Sequence, residues 1–255
     1  MNAPAYLERI AYSGSTESTP ETLRALHRAH MFAVPFENLD IHIGRNIICD
    51  EGHFLHKIVE QRRGGFCYEL NGAFAALLRE LGFQVTLLSA RVTRADGGDG
   101  PEFDHLTLRV DLDEPWLADV GLGDSFLEPL RLQPNIEQPQ IGRIYRLTQS
   151  RLIQSGYVFH MEVKSGDDWK RQYSFTLRPR QLSDFAAMCH YQQTSPESHF
   201  TQNRICSRAT PTGRITLSNG KLIETQNGSR QEKILIDEDR TACLRDLFGV
   251  VLTDS

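Results

Sequence analysis

Arg63-Gly64-Gly65-Phe66-Cys67-Tyr68-Glu69-Leu70-Asn71-Gly72-Ala73-Phe74 is the stretch on which the reading of this chain turns. Apolar residues recur at Leu70, Ala73, Phe74, Leu77, Leu78 and Leu81, one face of an α-helix. Gly82 stands just past the last of them, where a left-handed C-cap is expected. Two adjacent glycines let the backbone turn tightly into this helix, which puts Cys67 in its first turn. The unpaired N–H groups and the positive end of the macrodipole there favour thiolate over thiol. A thiol so placed is a candidate nucleophile, although an inert cysteine opening a core helix is the commoner arrangement. A base and an orienting acid elsewhere in the chain decide between the two.

With 255 residues the chain can bury a sizeable core as one large domain or two to three lobes. Apolar residues make up 40% and charged residues 24%, as in an ordinary soluble globular protein. A net charge of -5 and no basic run argue against nucleic-acid binding. No apolar stretch approaches the roughly 20 residues that span a bilayer, and Met1-Asn2-Ala3-Pro4 does not open a signal peptide. The five cysteines (49, 67, 189, 206, 243) are odd in number and lack CxxC spacing. Reduced thiols in a cytoplasm fit them better than disulfides or a metal site.

Before the central stretch the chain reads as helical. Ser18-Thr19-Pro20-Glu21 opens a helix, with a capping box from Ser18 to Glu21. Leu23, Leu26, His27, His30 and Met31 continue one face until Val34-Pro35 ends it. Phe36 is evenly balanced between core packing and a pocket wall. Phe54, Leu55, Ile58 and Val59 mark a further helix ending at the cations Arg62 and Arg63.

After Gly82 the pattern becomes β. Phe83 to Val92 is one strand, and His105 to Val110 alternates with Leu106, Leu108 and Val110 on one face. Asp113-Glu114-Pro115 turns the chain into a return strand from Trp116 to Val120, bringing His105 near Asp119 across the ladder. Further β runs at 144–147, 156–163 and 173–177 extend an antiparallel sheet or barrel to about residue 180. A short helical piece starts at Ser183, followed by a polar loop from Tyr191 to Phe200. Two strands flank the hairpin signal Ser218-Asn219-Gly220, and Asp237 to Gly249 closes the chain as a helix.

Cys67, His105 and Asp119 thus supply nucleophile, base and orienting acid. Asp119 lies in Trp116-Leu117-Ala118-Asp119-Val120-Gly121-Leu122-Gly123, where an unpartnered carboxylate would be costly, and the histidine is its natural partner. Metal binding is not expected, since neither residue has a second histidine at ligand spacing.

These residues resemble a family. Val34-Pro35-Phe36-Glu37-Asn38-Leu39-Asp40, Arg63 to Glu69, His105 and Asp119 to Gly123 closely resemble the arylamine N-acetyltransferases. So do Tyr173 to Arg180 and Thr194 to Phe200, so the resemblance spans nearly the whole chain. It implies an α+β fold with a papain- and transglutaminase-like catalytic core: a helical bundle (1–82), an antiparallel β-barrel (83–182) and an α/β lid (183–255). It further implies a ping-pong reaction in which acetyl-coenzyme A acylates Cys67 and an arylamine or arylhydrazine takes the acetyl group, with no metal. Phe36, Leu122 and Phe126 would flank the amine; Gly123, Tyr191, Thr194 and Ser195 would hold the coenzyme; Arg63 and Glu37 would brace the site.

The family's usual aromatic between the two glycines after the aspartate is Leu122 here, which bears on acceptor preference. An amide synthase fed by a carrier-protein thioester, or a cysteine hydrolase or transglutaminase, would use the same triad. A cytoplasmic monomer or homodimer without nucleic-acid or membrane partners completes the expectation.

Overall fold

The computed structural model describes residues 1–152 and 156–252. The first third holds α1 (Ala3–Arg9), α2 (Pro20–Ala33), β1 (Phe36–Glu37), α3 (Leu39–His42), α4 (Glu51–Leu55) and α5 (Cys67–Glu80). The middle is all strand: β2 (Gln84–Val92), β3 (His105–Asp111), β4 (Pro115–Ala118), β5 (Leu130–Arg131), β6 (Gln138–Gln140), β7 (Arg143–Leu152), β8 (Gly156–Ser165) and β9 (Asp168–Arg180). The last part holds α6 (Ala186–Thr194), α7 (His199–Gln202), β10 (Ile205–Thr210), β11 (Gly213–Ser218), β12 (Lys221–Gln226), β13 (Ser229–Ile234) and α8 (Asp237–Phe248).

Helix α5 is the axis. Its periodicity points to one apolar face, yet every residue from Cys67 to Leu78 is buried. The two polar residues on its other faces, Glu69 and Asn71, are buried because each is fully partnered, Glu69 by an ion network and Asn71 by backbone and carboxylate groups. Gly82, in the left-handed region at φ 88, follows the helix as expected.

The eight middle strands form one antiparallel sheet in the order β5-β4-β3-β2-β9-β8-β7-β6, curled into a nearly closed barrel. Its two edge strands are joined by side-chain amides rather than a ladder. Gln138 accepts from the Arg131 N–H at 2.8 Å and donates to its carbonyl at 3.1 Å. Gln140 does the same for Leu127 and Glu128. Such glutamines cover the free N–H and C=O groups an open edge would expose. Leu88, Leu117, Phe126, Met161, Tyr173 and Phe175 are among the side chains filling the interior.

A second sheet, β1-β10-β11-β12-β13, draws its first strand from the helical third: Phe36 pairs with Ser207 and Glu37 with Cys206. The β11–β12 hairpin turns through Asn219 and Gly220, both at positive φ, as the Asn-Gly signal requires.

Several local expectations change. Thr19, not Ser18, caps α2, accepting from the Thr22 N–H. Helix α4 continues into a π-helical turn over His56–Glu60, so Arg63 lies beyond any helix end. The return strand stops at Ala118, leaving Asp119 off the ladder. Tyr191 to Thr194 close α6 instead of forming a loop.

Candidate active site

The Gly64-Gly65 turn is built against the segment just before it in the fold. Phe36 bridges Gly65 in parallel, and the Glu37 N–H donates to the Gly65 carbonyl at 2.9 Å. A Cβ on Gly64 would stand 2.0 Å from the Pro35 carbonyl oxygen, which only glycine tolerates. Charge locks the turn from behind. Arg63 pairs with Glu37 at 2.7 Å and Asp40 at 3.0 Å, while Lys57 pairs with Asp40 at 2.7 Å and Glu69 at 2.8 Å. All five side chains are buried, three carboxylates against two cations. Burial, only partly offset by Lys57, lifts the Glu69 carboxyl to about 7. Glu69 also accepts the Phe66 N–H at 3.0 Å, so the network ends on the residue before the cysteine.

Cys67 is therefore the first residue of α5 and 3% exposed. Its sulfur faces His105 and the Leu106 backbone, both of which favour its charged form. His105 Nε2 lies 2.7 Å from Asp119 Oδ2, which leaves the other ring nitrogen for sulfur. The second Asp119 oxygen accepts from Asn71 Nδ2 at 2.9 Å and from the Gly121 N–H at 3.0 Å. The Tyr173 ring packs beside the His105 imidazole, 5.3 Å between centroids. Asn71 is one helical turn beyond Cys67; it donates to the Leu106 carbonyl and accepts the Val120 N–H as well. One amide thus ties the nucleophile helix to β3, which carries His105, and to the loop after β4, which carries Asp119.

The electrostatics follow from burial and from Asp119. Burial works against a charged imidazole, but the Asp119 carboxylate overrides it and lifts His105 to about 10. Burial likewise favours a neutral Asp119, and the His105 charge and hydrogen bonds nevertheless hold that carboxyl below the usual range. For Cys67, burial pushes the thiol up, against the hydrogen bond and charge of His105. The helix start alone does not lower this thiol; what favours its thiolate is the imidazolium beside it.

A cavity of about 520 Å³ opens over the sulfur, walled by Phe36, Leu122, Phe200, Gly123 and Gln192 among others. Its far side is the second sheet, through Ser207, Arg214, Thr216 and Ile223. Phe36, Leu122 and Gly123 are at the cavity wall. Phe126 is not: it is fully buried in the barrel, between His27 at 5.7 Å and Tyr145 at 5.8 Å, because the loop after Gly123 turns inward. Tyr191, Thr194 and Ser195 do not line the cavity either. Their helix presents Gln192, which donates to Asp104, whereas Thr194 bonds back to the His190 carbonyl. Asn71, Tyr173, Gln192 and the second-sheet residues are site neighbours to which the sequence alone assigned no role. Among the described residues no group of histidine, cysteine or acidic side chains is arranged to hold a metal.

The N-acetyltransferase family model matches residues 19–255. An arylamine N-acetyltransferase / N-hydroxyarylamine O-acetyltransferase of Salmonella typhimurium is 35% identical over 98% of this chain and 89% of its own. The chain belongs to the arylamine N-acetyltransferase family. Its fold is the family's: the structure of the Salmonella typhimurium enzyme superposes with a TM-score of 0.90, at 34% identity over 99% of this chain and 92% of that one. A Mycobacterium marinum relative solved in complex with CoA gives 0.88, at 30% identity over 98% and 93%.

Proposed function

We propose that this arylamine N-acetyltransferase relative moves acetyl from acetyl-coenzyme A to arylamines, arylhydrazines or N-hydroxyarylamines through a Cys67 thioester. The alignment of Cys67, His105 and Asp119, with His105 Nε2 2.7 Å from Asp119 Oδ2 and the cysteine under a cavity with aromatic walls, carries this reading. In the first half-reaction the Cys67 thiolate attacks the thioester carbon. Coenzyme A leaves as its thiolate and takes a proton from the His105 imidazolium. In the second, the amine attacks the Cys67 thioester and His105 accepts its proton. The amide departs and the thiolate–imidazolium pair is restored. Asp119 keeps the imidazole oriented and its charge stabilised throughout.

A second, wider cleft of about 890 Å³ adjoins the cavity, sharing Val92, Leu122 and Asp124 with it. Arg94, Arg143, Lys170 and Arg171 line it against Asp124 and Glu162, four cations to two carboxylates. That excess suits the phosphates of the donor, with its acetyl end reaching Cys67. Five free cysteines among the described residues suit a reducing, cytoplasmic setting.

The test is incubation with acetyl-coenzyme A and no amine, followed by peptide mass analysis. One acetyl group should appear on the peptide containing Cys67, with release of one coenzyme A, and an arylamine should then discharge it. Acetyl found only on another residue would sink the reading. Continuous coenzyme A release without amine would point to a hydrolase, and transfer solely from a carrier-protein thioester to an amide synthase. Raised salt should increase KM for acetyl-coenzyme A more than for phosphate-free acetyl-pantetheine.

A further inference from the structure

His27 belongs to none of the motifs above and lies on α2, 92 residues from the triad acid in sequence. It is fully buried. Its Nε2 accepts the backbone N–H of Asp119 at 3.1 Å, and its Nδ1 lies 2.8 Å from the Leu127 carbonyl oxygen. A carbonyl only accepts and an amide N–H only donates, so the two partners fix the ring as the neutral Nδ1–H tautomer. The ring face stacks on Phe126 with an interplanar angle of 20°, and its edge meets Phe74 of α5.

The segment between these two contacts is the one that shapes the site. It begins with Asp119, passes Gly121 against Cys67 and Leu122 and Asp124 at the cavity wall, and returns to the barrel interior at Phe126, with the Leu127 N–H bonded to Gln140 of β6. Strand β4 ends at Ala118, so the Asp119 N–H has no ladder partner. Buried, it would be an orphan donor without His27. Asn71 holds the Asp119 carboxylate from α5, and His27 holds its backbone N–H from α2.

We infer that His27 is a positioning residue for acetyl transfer, one neutral imidazole that clasps both ends of the 119–127 segment and so sets Asp119 behind His105 and Leu122 beside the acceptor. Few side chains can do this. The task needs one acceptor and one donor on opposite sides of a rigid, apolar-faced ring, where burial against Phe74 and Phe126 disfavours a charged one. Burial matches that need, lowering the His27 pKa to about 4. The inference rests on the triad reading, and wild-type Cys67 acetylation tests that reading separately.

Asparagine and glutamine divide the two contacts, because an asparagine amide reaches the Nδ1 position and a glutamine amide the Nε2 position. His27→Gln should keep the Asp119 contact and acetylate Cys67 in a single turnover at close to the wild-type rate, with KM for bulky acceptors altered by the loosened Leu127 end. His27→Asn should lose the Asp119 contact, slow Cys67 acetylation by about 10- to 100-fold and shift its pH profile, with KM for the donor little changed. Equal rates and unchanged pH profiles in both variants would overturn the inference, as would a loss that merely follows the unfolded fraction. The wild-type protein offers a check free of any folding defect. Its ¹⁵N ring shifts at neutral pH should identify His27 as neutral and protonated on Nδ1; an Nε2–H ring or an imidazolium would refute the clasp.

Discussion

Gly121 lies so close to Cys67 that a Cβ on it would stand 2.8 Å from the Cys67 Cα and 2.9 Å from its carbonyl oxygen. It would also stand 2.6 Å from Nδ2 of Asn71, the amide that holds Asp119. Two of these three atoms are backbone, so the loop has to move. Gly121→Ala should cost about 1–3 kcal/mol by overpacking, which lowers the melting temperature by roughly 2–12 °C in a chain of this size. Activity should fall further than stability, about 100-fold, because the displaced loop carries the triad acid. Thermal melts and kcat on the same preparation check this; an active variant with normal kcat would show that the close approach is incidental.

The ion network behind the turn is expected to be structural. Arg63→Ala would leave Glu37, Asp40 and Glu69 facing Lys57 alone, all within the interior. Breaking a buried pair this way should destabilise by about 3–5 kcal/mol. Differential scanning calorimetry reads the loss directly. Wild-type melting combined with absent activity would instead reassign Arg63 to the chemistry.

The triad's two charges set a stability window in pH. His105 is lifted to about 10 in the folded protein, above its unfolded value of about 6.5. Its contribution is therefore complete below that unfolded value and lost as pH rises through about 10. Asp119 is held below its usual range, so its contribution is present above about 3.9 and lost as pH falls through the folded value. Together they stabilise most between about pH 4 and 6.5. The melting temperature of wild type minus that of Asp119→Asn should be largest in that window and shrink toward pH 10. A difference that stays flat with pH would mean the pair does not titrate as a unit. Asp119→Asn should also lose about 10³- to 10⁴-fold in activity, since an amide cannot stabilise imidazolium.

Much of this site was legible because its partners lie close in sequence or in a hairpin. The spacing from Leu70 to Leu81 marks α5, two glycines mark its start, and the turn at Asp113 to Pro115 brings His105 to Asp119. What escaped reading depends on distant backbone. Asn71 and His27 look like ordinary helix residues, since their partners are groups at Val120, Leu106, Asp119 and Leu127 that no pattern announces. Strand β13, Ser-Arg-Gln-Glu-Lys-Ile, is exposed throughout and shows no apolar alternation. Phe126 is three residues past Gly123, and whether its ring meets the cavity or the barrel is set by one turn of loop. The stack on His27 draws it inward.

With Phe126 in the barrel, Leu122 is the apolar side chain of that loop at the cavity wall, and so the one to test for acceptor choice. It lines both the catalytic cavity and the basic cleft, facing the same space as Phe36 and Phe200. Leucine fills space there but offers no ring to stack on an aryl amine. A ring contact is worth about 0.5–1.5 kcal/mol beyond area burial, roughly a 2- to 12-fold change in specificity. Leu122→Phe should therefore raise kcat/KM for small flat arylamines relative to bulky or aliphatic ones, without abolishing turnover of either. Single-turnover acetylation of Cys67 should change little, because the amine takes no part in that step. If the donor threads past residue 122, however, the added ring would also raise KM for acetyl-coenzyme A. An acceptor panel run beside the donor half-reaction separates the two effects, and an unchanged acceptor ranking would show that residue 122 does not touch the amine.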